Sequence, residues 1–384
     1  MEPRRRPRGD QRLRQRYDAG RAPARRLATN RDKAHKKVSG ATQGARIGRG
    51  GILRAALLII GLIAALPAPA QGADKVTFAT NWLAEPEHGG FYQALADGTY
   101  ARHGLDVAIQ QGGPQANGRL LLAAGRIQFY MGANMLQAFD AVAQNVPTQI
   151  VASAFQKDPI ILMSHPGQGL DRFEDLKTAS AVWVSRENLV SVYQWLRKAH
   201  GFREERARPY AFVSTPFLAD KTSVQQGYVT SEPFEIERKG GFRPNVFLLA
   251  DHGYESYSTT IEARRDLIEK NPDLVRRFVE ASMIGWRTYL HGDNAAANAL
   301  IKRENPEMSD AQIAYSIAKM KEHGIVESGD ALTLGIGAMT TARFERFFRT
   351  MVEAGVVKPD LDWRKAFTLD FVGASGASAP RSAK

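Results

Sequence analysis

From Lys75 onward the chain alternates short apolar runs with stretches of helical periodicity, and this alternation restricts the fold more than any other feature. "KVTFAT" (75–80), "LDVAI" (105–109), "IQFYM" (127–131) and "QIVASAF" (149–155) read as strands, with helical stretches beginning near Gly89, Gln115 and Asn134 between them. Strand–helix units of this length build a mostly parallel sheet flanked by helices. The pattern restarts at 160, where "IILMS", "AVWVS", "YAFVS", "GYVTS" and "VFLLA" are separated by helices near 171, 189 and 217. After Tyr257 it turns almost entirely helical. Asn271 stands as an N-cap before Pro272, and Val275, Val279, Ser282 and Trp286 share the face that follows. Ser309 and Gln312 have capping-box spacing. The expectation is an α/β chain of two lobes: 74–160 begins the first, 161–257 forms the second, and a mainly helical 258–370 completes the first. Residues 371–384 read as a disordered tail.

Charge divides the chain differently. The formal net charge is +12, but residues 1–50 hold 16 Lys/Arg against 4 Asp/Glu, while residues 74–384 hold 35 against 36. The basic character belongs to a leader that reads as disordered, and the body is neutral, which leaves no nucleic-acid footprint on it. Residues 51–73 contain "ILRAALLIIGLIAALPAPAQGA", with a basic start, an apolar core from Ala55 to Leu66 and a small-residue end at Ala68-Pro69-Ala70. That order is a cleavable secretory signal, and its core is shorter than the roughly 20 residues of a spanning helix. The expected location is therefore the periplasm. The chain has no Cys, which excludes disulfide frameworks, thiolate zinc sites and Cys nucleophiles. No GxSxG elbow, HExxH pair or P-loop is present. No catalytic residue, cofactor or metal is assigned.

Open α/β sheets bind ligands at the carboxyl ends of their strands. The loop after strand 75–80 is "NWLAEPEHGG", which puts Trp82 and His88 at such a mouth. Two roles are open to Trp82, core packing or a platform on which a flat ring stacks. His88 either hydrogen-bonds a ring nitrogen or caps its helix, and Tyr92 offers a second face or packs in the core. In the second lobe, "QQGYVTSEPFEIE" (225–237) puts Glu232 at a helix start facing the cleft. A carboxylate there can take two hydrogen bonds from a ligand edge with paired N–H donors, or it simply complements the helix dipole. Ser185 and Asn188, in "SREN", are cap or ligand contacts, and Asn134 is the weaker counterpart in the first lobe. "QGGPQANGR" (111–119) fits no nucleotide fingerprint and reads as a turn.

"NWLAEPEHGGFYQALADGTYARHGLDV" (81–107) resembles the first motif of the thiamine-pyrimidine-precursor family of periplasmic binding proteins. The matching positions are Asn81, Trp82, His88, Gly90, Tyr92, Gly98, Tyr100 and Gly104 to Val107. Ala84-Glu85 stand where that family has Pro-Asn, and Pro86 follows. The resemblance implies a type II, clamshell binding-protein fold. It also implies a monomeric solute receptor that delivers a small-molecule ligand to the permease and ATPase of an ABC importer. A thiamine pyrimidine precursor leads among ligands, with riboflavin-like rings, aromatic carboxylates and sulfonates as alternatives. The competing class is an enzyme. His88 falls on the motif histidine of the related synthase, which makes the pyrimidine from its own His and pyridoxal phosphate. That synthase carries a cysteine-rich iron motif absent here.

Overall fold

The computed structural model describes residues 72–113 and 116–373. The expected leader, nearly all of the signal peptide and the tail beyond Gly373 lie outside the described residues. Ten strands are described: β1 (Asp74–Ala79), β2 (Leu105–Gln110), β3 (Phe129–Asn134), β4 (Thr148–Phe155), β5 (Ile160–Ser164), β6 (Val182–Ser185), β7 (Ala207–Tyr210), β8 (Val224–Tyr228), β9 (Asn245–Leu248) and β10 (Ser258–Arg264). They form two five-stranded sheets, ordered β2-β1-β3-β10-β4 and β7-β6-β8-β5-β9. The chain passes between the sheets twice, through 156–159 and through 249–257.

Each sheet is mixed. β1 runs parallel to β2 and β3, and β6 runs parallel to β7 and β8. β10 is antiparallel to both neighbours, as is β5. The antiparallel pairings arise at the two passages, where the chain enters a sheet without a crossover helix.

β10 corrects the expectation that the chain beyond Tyr257 is helical almost throughout. Its sequence "STTIEAR" hides the strand because polar residues occupy buried positions. Ser258 donates its hydroxyl to the Ala133 carbonyl at 2.6 Å, and the Glu262 carboxylate pairs with Arg119. Satisfied in this way, polar side chains can sit in a sheet centre, and the apolar alternation disappears from the sequence. Two further strands, expected at 210–214 and 227–231, instead end at Tyr210 and Tyr228.

The helix Pro272–His291 braces the first sheet. Asn271 caps it, accepting from the Leu274 amide at 3.2 Å, with Pro272 in the first turn where no N–H is needed. Its Phe278 stacks on Phe129 of β3 at 4.1 Å between ring centroids, and Tyr100 stacks on Phe278 at 5.3 Å. The Tyr100 hydroxyl meets Ser282 at 2.9 Å, so the buried polar end is satisfied. The same helix lies against Gly89–Ala96. A Cβ at Gly89 would fall 2.0 Å from the Tyr289 ring, and one at Gly90 would fall 2.2 Å from Trp286. The Gly pair of the "HGG" motif is thus where two aromatic rings settle directly on helix backbone. This contact fixes the start of the helix, and with it the loop that leaves β1.

Candidate functional site

The loop after β1 is held by main-chain geometry. The Trp82 carbonyl accepts from the Gly112 amide at 2.9 Å and from the Thr80 hydroxyl at 2.8 Å. A Cβ at Gly112 would lie 2.5 Å from the Thr80 carbonyl oxygen, so only glycine permits this approach. Gln111 accepts from the Ala84 amide at 3.1 Å, and Asn305 donates to the Ala84 carbonyl at 2.9 Å. The Gly-rich segment after β2 therefore works as a clasp, holding Trp82 at the carboxyl end of the first sheet.

Trp82 lines a cavity of about 840 Å³ between the two sheets. Asn81, Glu85, Arg119, Tyr130 and Gln137 face it from the first sheet's side, and Ser185, Glu187, Asn188, Phe212, Tyr228 and Glu232 from the second's. Its lining carboxylates are Glu85, Asp140, Glu187 and Glu232, against the guanidinium groups of Arg119 and Arg186. Arg119 is already neutralised, since its Nη2 lies 2.6 Å from Oε1 of the buried Glu262 and its Nε lies 3.3 Å from Oε2. The cleft is rich in acceptors and poor in free cations.

Glu232 opens the helix Glu232–Gly240, with Pro233 in its first turn. Its carboxylate accepts from the Tyr228 amide at 2.8 Å. A Cβ at Gly227 would lie 2.8 Å from the Glu232 Cβ, so glycine at 227 makes room for the side chain to fold back over β8. Burial raises the Glu232 carboxyl from its ordinary 4.5 to about 7. Burial also lifts Glu85 well above the usual carboxylate range, and Glu87 and Glu232 add to the effect. Glu87 is raised by burial too. Three carboxyl groups from both sides of the cleft thus lie in a poorly hydrated cluster, each raised by burial.

His88 and Tyr92 do not line the cavity. Both are buried, His88 completely. Burial lowers His88 to about 3, so its imidazole is neutral, and its Nε2 lies 3.5 Å from Glu85 Oε1. His88 precedes the helix Gly89–Ala96, but its side chain makes no capping hydrogen bond. Tyr92 packs in the core. Ser185 and Asn188 both reach the cavity, and the Ser185 hydroxyl accepts from the Asn188 amide at 3.3 Å as a helix cap. Asn134 also caps a helix, accepting from Gln137, and donates to Asp158 at 3.3 Å. It faces a second cavity of about 730 Å³.

The two cavities share Arg119, Gln137, Asp140, Glu187 and Asn188. Gln137 lies between them with both ends of its amide hydrogen-bonded. Its Oε1 accepts from the Ala133 amide at 3.1 Å and from Arg119 at 3.3 Å, while its Nε2 donates across the cleft to Glu187. Glu262, Arg119, Gln137 and Glu187 therefore form one polar chain from β10 to the opposite sheet's side.

The family profile described as NMT1/THI5 like matches residues 85–296. The chain belongs to the NMT1/THI5-like family. Among its relatives, the riboflavin-binding protein RibY of Chloroflexus aurantiacus is 26% identical over 321 residues, covering 79% of this chain and 89% of that one. The 4-amino-5-hydroxymethyl-2-methylpyrimidine phosphate synthase THI11 of Saccharomyces cerevisiae is 26% identical over 226 residues, covering 55% of this chain and 66% of that one. The periplasmic aliphatic sulphonate binding protein SsuA of Escherichia coli superposes with a TM-score of 0.58 at 13% identity, covering 76% of this chain and 91% of that one. The fold is that of a two-lobe periplasmic binding protein. Within the family motif, Trp82 faces the cavity and His88 lies behind it. Glu85, which lines the cleft, stands at one of the two positions where this sequence departs from the motif.

Proposed function

We propose that this protein is the solute-binding component of an ABC importer and captures a small, planar, amine-bearing heteroaromatic, with a thiamine pyrimidine precursor as the leading ligand. The observation that carries this reading is the pairing, in one cleft, of Trp82 with the raised carboxyls of Glu85 and Glu232. The indole supplies a stacking face, contributing about 0.5–1.5 kcal/mol beyond burial. The carboxyl cluster accepts hydrogen bonds from ring amines. A sulfonate or carboxylate would meet four lining carboxyl groups against two guanidinium groups, of which Arg119 is already committed to Glu262, leaving Arg186. A riboflavin-like ligand is the second reading, supported by the cavity's size and by the extent of the match to RibY.

An enzymatic reading fits the cleft less well. None of the described residues lining the main cavity is a lysine, and its carboxylates would oppose the phosphate of pyridoxal phosphate. His88 would have to leave a fully buried position to react. The receptor would work in the periplasm beside an importer's permease and ATPase. Mass spectrometry of small molecules released from protein purified out of its native host tests the proposal. An aminopyrimidine or flavin is the expected result, and a sulfonate would contradict it. Consumption of His88 during incubation with pyridoxal phosphate would move the protein to the enzyme class.

A further inference from the structure

Phe212 breaks two rules at once. It is 51% exposed although large and apolar, and its φ is +60°, a backbone region that bulky residues rarely adopt. Among the described residues, two other non-glycines share that sign of φ: Asn145, a type that tolerates it, and Thr259, which is buried within β10. Such an outlier is retained where the surrounding structure or a function requires it. Phe212 follows β7 on the second sheet's side, beside Tyr210, whose ring centroid is 5.3 Å away. The strained backbone turns its ring across the cleft mouth onto Trp82, with centroids 4.9 Å apart and planes tilted by 45°. Both rings line the main cavity.

We propose that Phe212 is a gate and a second stacking face, closing on Trp82 across the cleft mouth and parting from it to clasp a flat ring between the two. The inference rests on the reading of the cleft as a receptor for such a ring. Ring faces in contact lie about 3.5 Å apart, so an intervening ring needs roughly 7 Å between Trp82 and Phe212. The observed pair is too close for that, and one side must move outward. Phe212 is suited to move, because its exposed loop sits on the lobe opposite the pinned Trp82.

Phe212→Gly tests the assignment, since it removes the ring and also relieves the backbone. A residue kept for packing would lose stability on this change. A gate should gain thermal stability and lose affinity. In the protein alone, acrylamide quenching of tryptophan emission should rise in Phe212→Gly, and the rise should vanish when both proteins also carry Trp82→Phe. Equal quenching in wild type and Phe212→Gly would overturn the gate. Riboflavin, titrated by its own fluorescence, should bind Phe212→Gly at least tenfold more weakly than wild type, with affinity restored by Phe212→Tyr. Undiminished affinity in Phe212→Gly would overturn the stacking role. Failure of both riboflavin and 4-amino-5-hydroxymethyl-2-methylpyrimidine to bind wild type would count against the receptor reading instead, and the quenching comparison would then decide the gate by itself.

Discussion

Trp82 and His88 stand six residues apart in one motif, yet the structure gives them opposite surroundings. Trp82 projects into the cleft, so Trp82→Ala should weaken ligand binding by about 2–4 kcal/mol while leaving the melting temperature nearly unchanged. Calorimetry beside a thermal melt checks this, and a lowered melting temperature with intact affinity would return Trp82 to the core. The titrating groups make a second prediction. Glu232 is held near 7 when folded and returns to 4.5 when unfolded, so it becomes a growing liability as pH rises across that window. Glu232→Gln should therefore gain stability over wild type between about pH 4.5 and 7 and hold a constant lead above it. His88 acts in the other direction. Its pKa is near 3 when folded against 6.5 when free, so stability is lost as pH falls through that interval. Denaturant midpoints across a pH series measure both effects, and parallel curves for wild type and Glu232→Gln would contradict the first. Residue types alone could not separate these cases. His88 and Glu85 occupy the same loop, and only the packing of the helix that follows determines which of them faces the cavity.

At the level of elements, strands with apolar sequences were legible and strands with satisfied polar residues were not. β5 coincides with "IILMS" because every side chain in it is buried and apolar or small. β10 is masked in the sequence because Glu262 looks like a surface residue until Arg119, 143 positions away, is brought beside it. The helix caps were readable, since Asn271 and Ser309 act locally. The reciprocal half of the capping box is missing, because the Gln312 side chain donates instead to the Thr230 carbonyl at 3.2 Å. The Gly pair at 89–90 carried a signal that spacing could not decode, since its partners Trp286 and Tyr289 lie almost 200 residues away. Gly90→Ala should force that ring off the helix and destabilise the fold by about 1–3 kcal/mol. Urea denaturation measures it, and an unchanged midpoint would show that the helices can separate freely.

For the whole molecule, two sheets joined by two passages form a clamshell whose sides meet through Gln137–Glu187 and Trp82–Phe212. Ligand capture should draw the lobes together, with only the Phe212 loop displaced outward around the bound ring, and exclude water from the site. Small-angle scattering should show a smaller radius of gyration on saturation, and Gln137→Ala should enlarge the radius of the protein alone by removing one interlobe bond. The same radius throughout, with proven binding, would rule out hinge closure. The two-lobe α/β plan was legible because alternation of strands and helices is a local pattern repeated twice. The cleft's chemical character was not, because Glu85, Glu187 and Phe212 acquire meaning only when the lobes face each other. The central claim is that this acidic, aromatic cleft takes a flat heteroaromatic ring bearing N–H donors and rejects anions. Calorimetric titration of the chain with 4-amino-5-hydroxymethyl-2-methylpyrimidine, riboflavin and an alkanesulfonate tests it most directly. Saturable binding of at least one of the two heteroaromatics, with none of the sulfonate, is the expected result; tighter binding of the sulfonate than of either ring would contradict the account.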